Sequence, residues 1–157
     1  MAKKKEPHVL KEPHSVSGKM EVPYEYFVGT LASQFYIQLR DNKKIMGIKC
    51  PKCNKVLMPP RSVCVKCFSK LDESQFVELT GKGTVVTYTV VKYAEPVHPV
   101  DAPFVYAIIQ LDGADTGLVH FLSDVDFDKI KAGMRVEPVF KEKREGNLLD
   151  IKYFKPV

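Results

Sequence analysis

Cys50-Pro51-Lys52-Cys53 and Cys64-Val65-Lys66-Cys67 are separated by ten residues and hold every cysteine of the chain. A C-x2-C pair bends the backbone tightly enough for both sulfurs to reach one ion. Two such pairs complete a tetrahedral thiolate set. Zinc suits that set, and iron also takes tetrahedral sulfur, as in a rubredoxin-like site. A disulfide does not suit the reducing compartment that metal-held thiols imply. The expected cofactor is one structural zinc on Cys50, Cys53, Cys64 and Cys67. With all four thiols engaged there is no open position for water or substrate, and no cysteine is left as a nucleophile.

The segment carrying the knuckles, residues 44–75, is too short to bury a core of its own. Metal is therefore expected to hold it together as a β-type zinc ribbon. It is also strongly basic. From Arg40 to Lys70 there are nine basic residues and one acid, Asp41. Residues 1–75 carry 14 Lys+Arg against 7 Asp+Glu, a net of +7, whereas residues 76–157 carry 10 against 12, a net of −2. Four thiolates around zinc amount to about −2, which offsets part of the ribbon's charge. The surplus has three readings: a solvated surface, a site for a compact polyanion, or a nucleic-acid contact.

On the N-terminal side, residues 1–21 are polar and lysine-rich and are expected to form a flexible arm. Residues 22–43 differ. Tyr24, Phe27, Val28, Leu31, Phe35, Tyr36 and Leu39 recur mostly at three- and four-residue steps, which predicts an aromatic-faced helix from Pro23 to about Asn42. Pro23 suits its first turn, and Gly29 weakens its middle.

On the C-terminal side the hydrophobic period drops to two. Strands are predicted over 83–93, 104–111, 117–122, 135–141 and 148–154, with a short helical turn at 126–131. Gly81, Gly83, Asp112-Gly113, Gly133 and Gly146-Asn147 mark the turns. Five or six short strands without a long helix point to a small barrel over 76–157, of OB-fold type if its connections are Greek-key. The predicted class is thus mainly β with an N-terminal helix, a four-cysteine zinc ribbon and an OB-fold barrel.

The chain has 157 residues, 45% of them hydrophobic, enough for one ordinary domain or two small ones. No apolar run approaches the roughly 18 residues that span a bilayer. The opening Met1–Pro7 has no apolar stretch after its charges, unlike a secretory signal. A cytoplasmic location is expected.

Three features together carry a resemblance: the four-cysteine ribbon, Pro59-Pro60-Arg61 ahead of the second knuckle, and the strand motif from Leu79 through Gly81-Lys82-Gly83 to Thr87-Tyr88-Thr89-Val90-Val91. Over residues 22–157 the chain resembles the family catalogued as domain of unknown function 35, zinc-ribbon plus OB-fold proteins associated with acyl-CoA metabolism. Two positions depart from its pattern. Asn54 stands where many members have glycine after the first knuckle, and asparagine tolerates the left-handed turn. Phe68 stands where many have a small or polar residue, and is expected to be a packing feature.

The resemblance implies a non-catalytic subunit that supports a thiolase-superfamily enzyme, in some systems bridging it to a second acyl-CoA enzyme. The partner would supply the catalytic cysteine and histidines, and no catalytic residue is assigned here. Coenzyme A is a compact polyanion, so Lys44, Lys49, Lys52 and Arg61 are the candidates for its phosphates. The Tyr24–Leu39 helix and the Glu95–Pro103 loop are the expected contact elements beyond the ribbon. Of the histidines, His8 and His14 lie in the arm, His98 in a proline-flanked loop, and His120 in a strand that could face either way; none pairs with a nucleophile. The alternative is a single-stranded nucleic-acid module, since ribbons and OB-folds both serve that role. The net acidic charge of the barrel half argues against it.

Overall fold

The stripe of Leu31, Phe35 and Leu39 forms the buried face of helix α1, Thr30–Asn42, in the computed structural model, which describes residues 15–18, 22–93, 95 and 98–157. The helix starts later than the periodicity predicts. Gly29 precedes it with φ +85° and ψ 162°, a conformation comfortable only for glycine. Ser33 Oγ donates to Gly29 O at 2.7 Å across that first turn. Residues 22–29 have no regular structure, and Tyr24, Tyr26 and Phe27 are exposed. At the other end, left-handed Lys43 turns the chain, and Lys44 N–H donates to Gln38 O at 3.2 Å. The expected arm lies outside the described residues except for 15–18, which are exposed.

β1 (Ile45–Lys49) pairs antiparallel with β2 (Val56–Leu57) on one edge and with β3 (Phe76–Leu79) on the other. A division at 75/76 thus falls between two strands of one sheet. The ribbon also has an apolar interior after all. Leu31 of α1 joins Ile48, Cys50, Leu57, Cys64 and Leu71 in a buried cluster. A helix outside the ribbon supplies what the short segment lacks.

The barrel is closed by β4 (Gly83–Val91), β5 (Phe104–Leu111), β6 (Gly117–Leu122), β8 (Ile151–Pro156) and β7 (Arg135–Phe140), in that spatial order. β6 and β8 run parallel and the other neighbours antiparallel, which is the OB-fold connectivity. Side chains alternate along β5: Val105, Ala107, Ile109 and Leu111 point inward and are buried. Gly83 is required by close approach, since a Cβ there would lie 2.5 Å from Gln110 O. The last predicted strand begins late. Asn147 caps a 3-10 turn at Leu148–Asp150, with its side chain accepting from Leu149 N–H, and β8 follows. The buried Asp150 carboxylate accepts from the N–H groups of Glu145, Gly146 and Asn147.

One apolar core crosses all three parts. Phe35 and Leu39 of the helix and Ile45, Met58 and Leu79 of the ribbon pack with Val85, Val105, Ile109, Val136, Ile151 and Phe154 of the barrel. Among the described residues no helix is long and apolar enough to cross a membrane.

Candidate metal centre

The two knuckles fold identically, fourteen positions apart. Cys50 N–H donates to Lys55 O at 2.8 Å, and Cys64 N–H to Ser69 O at 2.9 Å. Asn54 N–H donates to Cys50 O at 2.8 Å, and Phe68 N–H to Cys64 O at 3.0 Å. Each turn needs a left-handed residue after its second cysteine. Asn54 has φ 58° and Phe68 has φ 56°. Asparagine meets that need, as its turn chemistry predicts. Phenylalanine meets it at a steric cost.

The four Sγ atoms lie within 4.8 Å of one another. Cys50 faces Cys67 at 3.5 Å and Cys53 faces Cys64 at 3.5 Å, so the close pairs cross between the knuckles. A tetrahedral zinc site with Zn–S near 2.3 Å needs S···S edges of about 3.8 Å. The cluster fits a metal ion of that size with only small adjustment. Cys50 and Cys64 are buried and Cys53 and Cys67 half-buried, so the ion would be shielded from solvent.

A residue not picked out by spacing completes the centre. Ser69 Oγ lies 3.2 Å from Cys50 Sγ and 3.0 Å from Cys67 Sγ. Its hydroxyl stabilises thiolate at both, which draws the Cys50 thiol down to about 6 and lowers Cys67 as well. The Lys55 backbone N–H favours the Cys53 thiolate, but desolvation and the three neighbouring sulfurs prevail and push it up to about 12. Four crowded sulfurs cannot all ionise unaided, and a divalent cation removes that conflict. The signal for Ser69 was present but faint: a hydroxyl two residues after a knuckle, where the backbone already curls toward sulfur.

The other predicted site residues do not converge. Lys44 is held by Glu78 at 2.7 Å, at the opposite end of β1 from Lys49, about 16 Å away for five strand residues. Lys49 and Lys52 flank Cys50 and are exposed. Arg61 is exposed and lines a cleft of about 660 Å³ with Gly29, Leu31, Ser62, Asp72 and Glu73. Two of those lining residues are acids, which oppose an anion. His120 points inward. Phe121 N–H donates to its Nδ1 at 2.9 Å, so Nε2 carries the proton and donates to Leu148 O at 3.2 Å. Burial holds its pKa below the usual value. His98 Nδ1 accepts from Glu95 N–H at 2.9 Å, while its ring meets Phe104 edge-on. Pro96 and Val97 of that loop lie outside the described residues, as do His8 and His14. Phe68 is not a packing residue within this chain, because its ring is exposed.

Comparison with known proteins agrees with this architecture. The family described as "ChsH2, rubredoxin-like zinc ribbon domain" matches residues 39–73. The family described as "ChsH2, C-terminal OB-fold domain" matches residues 76–141. A protein named "DUF35 domain-containing scaffold protein" from Methanocaldococcus jannaschii is 34% identical, over 76% of this chain and 86% of its own. One of the same name from Pyrococcus furiosus is 33% identical, over 72% and 80%. A solved chain described as "Ltp2-ChsH2(DUF35) aldolase" superposes with a TM-score of 0.57 at 27% identity, covering 83% of this chain and 98% of that one. A crystal structure of a DUF35-family protein of unknown function from Sulfolobus solfataricus also gives 0.57, at 28% identity, over 71% and 78%. The paired knuckles, the Gly-Lys-Gly strand and the closed five-stranded barrel thus have one common explanation: this chain belongs to the DUF35 family of zinc-ribbon and OB-fold proteins.

Proposed function

We propose that this chain is a non-catalytic, zinc-binding subunit of a thiolase-type acyl-CoA enzyme complex in the cytoplasm, acting in thiolytic, β-oxidation-like degradation of an aromatic or other acyl-CoA. The observation that carries this reading is the stretch before α1, where Tyr24, Tyr26 and Phe27 are 77%, 72% and 82% exposed. Three large rings in water are costly for a monomer and suit a surface completed by another protein. The names of the relatives, scaffold protein in the archaea and an aldolase containing ChsH2, support a companion role.

The chain's own chemistry fits that role. Its four thiols face one another, and both ring nitrogens of His120 are engaged, so a cysteine-dependent acyl transfer would draw its nucleophile and base from the partner. When bound, the metal supplies rigidity to the ribbon rather than a reacting water. Lys49, Lys52 and Arg61 are the remaining cations for CoA phosphates at or near the interface; Lys44, held by Glu78, is the weakest of the original set.

The barrel surface does not favour the nucleic-acid alternative. On its outer face Tyr106 and Phe121 stack on each other at 4.8 Å, and Phe104 sits edge-on to both. Phe104 and Phe121 are buried, so these rings are occupied with one another rather than open to bases.

Native purification of the tagged full chain from its host tests the reading. Recovery in a stable complex with an acyl-CoA enzyme is expected. Recovery as a lone monomer, or binding of single strands that weakens steeply with salt, would overturn it.

A further inference from the structure

The second knuckle fills its required left-handed position with phenylalanine, a choice that carries two costs and brings no packing inside this chain. Phe68 holds φ 56°, where a bulky L-residue is a genuine outlier. The equivalent Asn54 at φ 58° tolerates that backbone, and glycine would adopt it freely. Its ring is also 78% exposed and forgoes the burial that normally stabilises a phenylalanine. Backbone strain kept at an exposed aromatic is a signature of a binding position.

The ring is also held ready. Phe68 directly follows Cys67, and its N–H is tied to Cys64 O at 3.0 Å. The metal centre therefore fixes the backbone that presents the ring, which lowers the ordering cost of docking. Val63 and Val65 of the same hairpin are half-exposed aliphatic side chains. Around them the charge has one sign. Residues 49–71 contain six lysines and arginines and no acid. Lys55 is paired with Asp115, while Lys49, Lys52, Arg61, Lys66 and Lys70 have no ion pair among the described residues.

We infer that Phe68 is the anchor by which the second knuckle docks into an apolar pocket, rimmed by carboxylates, on the partner enzyme. The inference rests on the subunit reading above and adds the residue and the chemistry of the contact. An aromatic plug with a rim of complementary charge is the usual form of an interface hot spot. Charge complementarity selects an acidic-rimmed protein, and the aliphatic neighbours select a pocket over a stack of bases.

The test uses the full-length chain with the acyl-CoA enzyme that co-purifies with it. Phe68→Gly is expected to bind metal normally and to melt no lower than wild type, because it relieves the strained φ. It should nevertheless bind the enzyme roughly ten- to a hundredfold more weakly, the loss for one buried phenylalanine. Phe68→Tyr should retain most of the affinity. Lys66→Glu with Lys70→Glu should slow association and reduce its salt dependence. If wild type recovers the enzyme and Phe68→Gly binds it equally well, the anchor is wrong and the subunit reading stands. If wild type recovers no enzyme, both fall. Phe68-dependent binding of a single-stranded oligo(dT) probe, or Phe68-dependent self-association in sedimentation, would also overturn the anchor by naming a different occupant.

Discussion

Met58 and Thr116, 58 positions apart, exchange two hydrogen bonds: Met58 N–H donates to Thr116 Oγ1 at 2.7 Å, and the hydroxyl donates to Met58 O at 2.8 Å. Beside them Asp115 N–H donates to Val56 O at 2.8 Å, and Val56 N–H donates to the Asp115 carboxylate at 2.8 Å. The β5–β6 turn of the barrel thus satisfies the free edge of β2 in the ribbon. An unpaired strand edge would otherwise be open to other chains. The ribbon and barrel are joined by these bonds as well as by their shared core.

Weakening that join should loosen the ribbon against the barrel. Thr116→Val keeps the shape but leaves the Met58 N–H without its partner, a cost of about 1–3 kcal/mol. The expected result is a lower melting temperature, with hydrogen exchange at Val56–Met58 accelerated more than in β5. Unchanged exchange at those amides would show that the Asp115–Val56 bonds and the shared core hold the ribbon in place without Thr116.

Metal should be needed for the ribbon and less so for the barrel. Cys64→Ser is expected to lose the ion and disorder the knuckles, while the far-ultraviolet signature of the barrel persists. Structural zinc in small ribbons contributes about 10–16 kcal/mol of apparent binding energy, so the loss should be nearly complete. Ile45, Met58 and Leu79 reach the barrel core, so some destabilisation of the barrel is also expected. Elemental analysis with circular dichroism reads both effects. Unchanged metal content would contradict a four-thiolate site.

Ser69 should tune the metal without being a ligand. Ser69→Ala removes the hydroxyl shared by Cys50 and Cys67, and metal affinity should fall about 10–100-fold in chelator competition. Ser69→Thr should recover most of it. An alanine variant with wild-type affinity would reduce the hydroxyl to a bystander.

His120 should make the barrel acid-sensitive. Burial depresses its folded pKa below the unfolded value of 6.5, helped by the positive charge of Lys141. Protonating Nδ1 would also break the bond from Phe121 N–H. The stabilising contribution is therefore complete above pH 6.5 and declines as pH falls below it, by at most about 1.4 kcal/mol per pH unit for one proton. Metal release also has an acid dependence, so the comparison is with His120→Gln, which holds the metal site constant. The variant should show a shallower loss of stability from pH 6.5 to 5, measured by denaturant unfolding of the barrel. Parallel profiles would remove His120 as the cause.

Much of this was legible in order along the chain. Cysteine spacing determined the two knuckles, because a four-residue turn is a local object. Alternation determined the strands 104–111 and 117–122 to the residue, because a pleat has period two whatever it packs against. Asn54 announced its left-handed turn by its own chemistry. The barrel followed from the number of short strands and the glycines between them.

The remainder depended on which surfaces meet. The stripe from Tyr24 to Leu39 has one period, yet only Leu31, Phe35 and Leu39 have a core to face, and Gly29 divides them from the exposed rings. β3 follows the ribbon in sequence and pairs back onto β1, and Lys44 meets Glu78 only because of that pairing. Ser69 matters because the folded hairpin sets it between sulfurs from both knuckles. Local pattern specifies what a segment becomes, since that depends on neighbours a few bonds away. Long-range pairing decides what each segment is next to, and there the tertiary structure turned Phe68 from an expected packing feature into an exposed ring.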